Sequence, residues 1–225
     1  MHTNVLRHID MLISRYPILE ELRDDIRLAY ETMERCYAKG GKLLVAGNGG
    51  SAADAEHIVG ELMNDFILPR SVGEDFSQKL LAVDPELGPV LAEKLQGALP
   101  AIALNGHAAL ITAYVNDGDP QLCFAQQVNG YGKPDDVFLA ISTSGNSKNV
   151  LYAAAVARAK GMRVVGLTGG KENKLAAISD VCICVPATVT YQIQELHLPV
   201  YHCLCQMLEE RFFGELPCGG EDRHG

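Results

Sequence analysis

The sequence contains no apolar run near the roughly 18 consecutive residues of a membrane span, and its start, Met1-His2-Thr3-Asn4-Val5-Leu6, lacks a basic-then-apolar leader. A cytoplasmic setting is the expectation. Basic charge is in short supply: 19 Lys and Arg against 28 Asp and Glu leave a net charge of −9. That balance argues against a general nucleic-acid surface and gives an anionic ligand no long-range attraction, so a phosphate would have to be held locally. Cysteine occurs seven times, an odd number, and never as Cys-x-x-Cys, which leaves reduced thiols as the reading. There is no G-x-x-x-x-G-K-[ST], no G-x-G-x-x-G, no internal repeat and no low-complexity tract.

With 48% hydrophobic residues in 225, the chain can fill one core, and it reads as a single domain over 1–225. Its most informative stretch is Leu43-Leu44-Val45-Ala46-Gly47-Asn48-Gly49-Gly50-Ser51, an apolar run that stops at a glycine-rich turn and enters a helix-compatible segment. Glycines let the backbone take φ > 0 and approach a ligand closely, Ser51 can cap the following helix, and the helix N–H groups favour an anion. A second element repeats the idea: Val137-Phe138-Leu139-Ala140-Ile141 runs into Ser142-Thr143-Ser144-Gly145-Asn146-Ser147, then into a helical pattern. Two such turns converging predict a site for one phosphorylated ligand.

Apolar runs at 42–46, 101–104, 137–141, 163–167 and 181–185 read as strands. Helical patterns lie at 18–39, 51–66, 107–115, 121–129, 147–160 and 191–213. Continuous apolar strands alternating with helices predict an α/β fold, a parallel sheet of five strands covered on both faces, with ligands outside the carboxyl ends of the strands. An N-terminal helical segment occupies 1–40. Residues 67–98 break the rhythm with Pro69, Gly73, Pro85, Gly88, Pro89 and Gly97, and read as an insertion holding short helices at 76–83 and 90–96, either a surface excursion or a lid or subunit-contact arm.

The helix from Ser51 carries Asp54, Glu56, His57 and Glu61, with His57 and Glu61 four apart and so on one face. Near the other end Gln194, Glu195, His197 and His202 punctuate an otherwise apolar helix. Imidazole and carboxylate are ligands for zinc and also general acid/base groups.

Taken together, Gly47-Asn48-Gly49-Gly50-Ser51 with Asp54, His57 and Glu61, the Ile141 to Ser147 segment, and Ile193-Gln194-Glu195-x-His197 with His202 resemble the sugar isomerase (SIS) domain proteins of the phosphoheptose isomerase type, over about 20–213. The resemblance implies a three-layer αβα, flavodoxin-like fold. It also implies a zinc-dependent homotetramer, with active sites between subunits, that converts sedoheptulose 7-phosphate to D-glycero-D-manno-heptose 7-phosphate. By the same resemblance the metal ligands fall on His57, Glu61, Gln194 and His202, and the phosphate contacts on Ser51, Ser142, Thr143, Ser144 and Ser147. Asn48, Gly49, Gly50, Asn105 and Gln194 complete the substrate-binding set. Aldose–ketose interconversion needs a base, a proton-shuttling partner and a positive centre for the enediolate; Glu61 is the candidate base and His202 its partner. Base and ligand are competing roles for Glu61.

Gln194 and His202 lie eight residues apart, roughly 12 Å along a straight helix, so one ion reaches both only if Pro199 kinks the helix or starts a new one, or if different subunits contribute. Two positions depart from the family: Asn105 and Tyr191 stand where acidic residues are expected. Three alternatives follow, an isomerase for another phosphosugar, a non-catalytic SIS adaptor that binds a replication-initiator protein, and a phosphosugar-sensing domain. The retained Glu61 and His202 favour the enzyme. Cys182, Cys184, Cys203 and Cys205 read as buried small hydrophobes, His107 as a cap or pocket residue, His197 as a group orienting the site or a satisfied core histidine, and His2, His8 and His224 as solvated.

Overall fold

The computed structural model describes residues 5–170 and 172–214. Five parallel strands, β1 (Leu43–Ala46), β2 (Ala101–Ala103), β3 (Val137–Ile141), β4 (Arg163–Gly169) and β5 (Val181–Val185), form one sheet in the order β2-β1-β3-β4-β5. This is the expected α/β sheet. Helices α1 (Arg7–Arg15), α2 (Arg23–Ala38), α3 (Gly50–Met63) and α10 (Thr190–Phe213) cover one face, and α7 (Cys123–Tyr131), α8 (Lys148–Ala159) and α9 (Lys174–Ile178) the other.

The two-residue period of a strand explains the three layers. Leu43, Val45, Val137, Leu139 and Ile141 point into the core under α2, α3 and α10, while Leu44, Ala46, Phe138 and Ala140 pack beneath α7 and α8. Both faces are buried, so no polar residue interrupts β1 or β3. Order 2-1-3-4-5 puts the topological switch between β1 and β3, the place where doubly wound sheets open a ligand crevice. Ala46 pairs with Ala140 at that point. The two turns singled out in the sequence leave these neighbouring strands, and their helices diverge, α3 to one face and α8 to the other.

Several expectations are corrected in detail. The 18–39 helix begins as a 3₁₀ turn at Pro17–Leu22 and becomes α-helical at Arg23. Ser51 does not cap α3: Gly49 is the N-cap, at φ 57°, and Ser51 is buried inside the first turn. Pro199 does not start a new helix, because α10 runs as one helix of 24 residues through it. His8 is not solvated; its ring pairs with Glu210 at 2.5 Å and is largely enclosed. Cys182 and Cys184 are only half-buried, their thiols 3.7 Å apart beside Thr168. His2, His224 and Cys218 lie outside the described residues.

The 67–98 segment forms a helical hairpin, α4 (Glu74–Val83) and α5 (Leu87–Lys94), tied at its base by the Ser71–Gln96 bridge. No residue of α4 is buried, and Phe76, Val83, Leu87, Val90 and Leu95 stay exposed. The last helix of the middle section, α6 (Ala108–Asp117), likewise buries none of its residues. No helix is long and apolar enough to cross a membrane, among the described residues.

Candidate active site

The glycines of the first turn do different work. Only Gly49 uses a positive φ, 57°; at Gly47 a Cβ would collide with Ser51, 2.4 Å from its carbonyl oxygen, and at Gly50 with Gln194, 2.3 Å from Nε2. The turn is thus pressed between its own helix and α10, and Gln194 lies over the start of α3. The second turn has the same character. Gly145, at φ 61°, has Asn173 where its Cβ would be, and the Ser142 hydroxyl donates to Ser147 Oγ at 3.1 Å. Ser142 and Ser51 are buried, Thr143 and Ser147 half-buried, and Ser144 exposed.

A reciprocal amide pair joins the turns. Asn48 Nδ2 donates to Asn149 Oδ1 at 3.0 Å and Asn149 Nδ2 donates back to Asn48 Oδ1 at 2.8 Å. Neither α3 nor α8 has a side-chain N-cap; Ser51 N and Ala52 N bond the Asn48 and Gly49 carbonyls and Val150 N bonds Asn149 Oδ1, so what the helix starts offer a ligand is chiefly their positive potential. A cavity of about 210 Å³ opens beside the serine turn, lined by Thr143, Ser144, Asn146, Gly169, Thr188 and Ile193. Asn105, just past β2, donates to Gly47 O at 2.7 Å, and its Oδ1 is buried without a partner among the described residues.

Two to three turns further along α3, the imidazole and carboxylate meet α10. His57 Nε2 lies 2.9 Å from Glu61 Oε1, and the His57 and His202 rings stand edge to face with centroids 5.0 Å apart. Ligand atoms of His57, Glu61 and His202 all fall within 4.8 Å of one another. Burial, then the neighbouring His57, lowers the His202 pKa. His202 Nε2 is buried with no hydrogen-bond partner among the described residues. An orphaned imidazole nitrogen beside a second imidazole and a carboxylate is a donor set suited to zinc.

His197 does not reach this cluster. It is fully buried under β4, donating from Nε2 to Thr168 O at 3.2 Å, and burial pulls its pKa down to about 4. Tyr191 and Glu195 are exposed on the same helix. His107 contacts Tyr131, ring against ring.

Three features escape a sequence reading. Tyr201 is buried and its hydroxyl sits 2.9 Å from His57 Nδ1 and 3.4 Å from Asp54 Oδ1. Asn149 closes the turns. Arg70 and Glu209 form a buried ion pair at 2.8 Å, with Glu209 also accepting from the Phe66 and Ile67 amides, and so fix the chain as it leaves α3. For Tyr201 there was a signal: a tyrosine amid apolar helix residues needs a partner for its hydroxyl.

The SIS domain family profile matches residues 9–75 and 85–169, with its break inside the α4–α5 hairpin. A phosphoheptose isomerase of Thiobacillus denitrificans is 37% identical over 218 residues, covering 95% of this chain and 98% of that one. Among solved structures, a phosphoheptose isomerase from Francisella tularensis superposes with a TM-score of 0.71 at 33% identity, over 91% of this chain and 95% of that one. The phosphoheptose isomerase of Neisseria gonorrhoeae gives 0.68 at 32% identity, over 91% and 97%. The switch-point turns, the α3–α10 cluster and these relatives agree, and the chain belongs to the SIS domain family, among its phosphoheptose isomerases.

Proposed function

We propose that the protein is an aldose–ketose isomerase that converts sedoheptulose 7-phosphate to D-glycero-D-manno-heptose 7-phosphate through an enediol. The observation that carries this reading is the meeting of Glu61, His57 and His202 on the helices that leave and overlie the glycine-rich turn after β1. Ser51, Ser142, Thr143, Ser144 and Ser147 at the positive starts of α3 and α8 receive the phosphate, which suits a chain of net charge −9 because backbone dipoles supply the positive potential. Asn48, Gly49, Gly50, Asn105 and Gln194 line the sugar.

Glu61 takes the proton from C1 of the ketose and returns it to C2, while His202 moves the proton between the two oxygens. Oε1 of Glu61 faces His57 Nε2 at 2.9 Å, which leaves Oε2 for the transfer. His57, Glu61 and His202, with Gln194 as the fourth residue of the set that the resemblance implies, would hold zinc, and a bound zinc would supply positive charge to the enediolate oxygens. Gln194, over Gly50, is also within the set assigned to the sugar.

Self-association belongs to the same reading. The apolar side chains left exposed on α4 and α5, and the absence of any buried residue on α6, support contact with further copies of this chain in a homotetramer. A cytoplasmic setting is supported by the free thiols of the described cysteines.

The test is turnover of purified protein against a panel of five- to seven-carbon phosphosugars, with and without a chelator. Conversion of the seven-carbon ketose, lost on chelation, supports the proposal. Turnover of a different phosphosugar alone would transfer the mechanism to another substrate, a reading that Asn105 and Tyr191 favour. No turnover on any member would refute catalysis.

A further inference from the structure

The side chains that hold His57 from behind are not part of the assignment above. His57 sits on α3, half exposed, so packing alone does not fix its ring. Its Nε2 faces Glu61 and its Nδ1 faces the Tyr201 hydroxyl at 2.9 Å. Tyr201 projects from α10 immediately before His202, is 1% exposed, and packs its ring edge to face against both His57 and His202, with centroids 5.5 and 5.0 Å away. Beyond it, Asp54 Oδ1 accepts from the same hydroxyl at 3.4 Å, while Asp54 Oδ2 is buried with no partner among the described residues.

Donor counting sets the direction of this chain. A carboxylate only accepts and a phenol has one proton, so a hydroxyl that donates to Asp54 offers His57 nothing but its lone pairs. His57 Nδ1 must then carry a proton and donate it to the tyrosine oxygen. The consequence falls on the other nitrogen: with Nδ1 protonated, the neutral ring turns a lone pair from Nε2 toward Glu61 Oε1, which is itself an acceptor. Two acceptors facing each other at 2.9 Å call for a positive centre, a proton or a cation, close by.

We propose that Asp54 and Tyr201 are positioning residues that fix the His57 tautomer, holding the proton on Nδ1 so that Nε2 is presented to a zinc ion shared with Glu61 and His202. The inference rests on the zinc reading given above, but the hydrogen-bond wiring is measurable without the metal. Tyr201 also couples the two metal-bearing helices, because the residue that orients His57 is the chain neighbour of His202.

The experiment uses two variants of the full-length protein. Tyr201→Phe keeps the ring contacts and removes the hydroxyl. Asp54→Asn keeps shape but gives the tyrosine oxygen an amide donor, which turns the phenol proton toward His57 and moves the imidazole proton to Nε2. Zinc affinity, measured by competition with a chromogenic chelator, is expected to fall about 10–100-fold in each, the range for loss of a group that orients a metal ligand. The double variant should fall no further, since both act through one ring. Nitrogen-15 spectra of the metal-free imidazoles should place a proton on His57 Nδ1 in the parent protein and on Nε2 alone in Asp54→Asn. Unchanged zinc affinity in Tyr201→Phe, or an unprotonated Nδ1 in the parent, overturns the proposal. A parent protein that binds no zinc yet shows the Nδ1 proton and its relocation in Asp54→Asn refutes the zinc reading and leaves the tautomer assignment standing. Should Tyr201→Phe fail to fold, the near-isosteric Asp54→Asn decides the question by both readouts.

Discussion

Asn48 and Asn149, 101 positions apart in sequence, exchange two amide hydrogen bonds of 3.0 and 2.8 Å and so lock the glycine turn after β1 to the first turn of α8. On the proposed reading the two turns share the phosphate, so their relative placement decides how well it is held. Asn149→Ala should raise KM for the phosphosugar about tenfold, equivalent to roughly 1.4 kcal/mol, with little change in kcat. Adding Asn48→Ala should cost less than the two single losses summed, since the pair is one interaction and only Asn48's own contact with the sugar remains to be lost. Steady-state kinetics on both variants would check this, and additive losses would count against a shared clasp.

Arg70 and Glu209 are a case where stability can be read from burial. Their side chains are 0% and 1% exposed, and the Arg70 guanidinium also donates to the Leu62 and Glu61 carbonyls. Arg70→Met would strand the Glu209 carboxylate in the core, and removal of one partner of a buried pair costs about 3–5 kcal/mol. A denaturant titration should show that loss; a change below about 1 kcal/mol would mean that Glu209 finds water.

The buried ring of His197 makes folding depend on pH. Its folded pKa is about 4, against 6.5 when exposed, so the native state resists protonation. Stability is complete above about pH 6.5 and falls as the pH drops from 6.5 toward 4, where the folded ring takes its proton. His197→Gln removes one proton of that dependence. Unfolding free energies across this interval should decline less steeply in the variant, and identical slopes would contradict the assignment.

Much of this architecture was readable from residues alone, for a physical reason. Strands buried on both faces carry unbroken apolar runs such as Leu43 to Ala46, and glycines cluster where Gln194 and Asn173 press on the backbone, so fold and phosphate turns left clear local signals. His57 and Glu61 share one helix, and their spacing put them together. Contacts between distant elements left no such trace: Tyr201 reaches His57 across 144 positions, and Arg70 reaches Glu209 across 139. Local reasoning also overvalued Ser51 as a cap, because the sharp turn at Gly49 places the N-cap two residues earlier. Pro199 was read as a kink or a new start, and α10 runs through it as one helix of 24 residues with Val200, Tyr201 and Leu204 packed in the core.

The hairpin of α4 and α5 offers a test of assembly apart from catalysis. Val83 and Leu87 are 83% and 61% exposed at its tip. Val83→Glu with Leu87→Glu should lower the sedimenting mass of the particle without altering the melting of the isolated fold. An unchanged mass would remove the tip from the contact.

The central claim is that Glu61 moves a proton between neighbouring carbons of a seven-carbon phosphosugar. Its most direct test is a proton NMR time course of sedoheptulose 7-phosphate with zinc-loaded protein in deuterium oxide, run beside Glu61→Gln. The account predicts an aldose product carrying deuterium at C2, in full or in part if the site is shielded, and a rate about 10²–10⁴-fold lower in the variant. No aldose from the parent protein, or equal rates in the two, would contradict it.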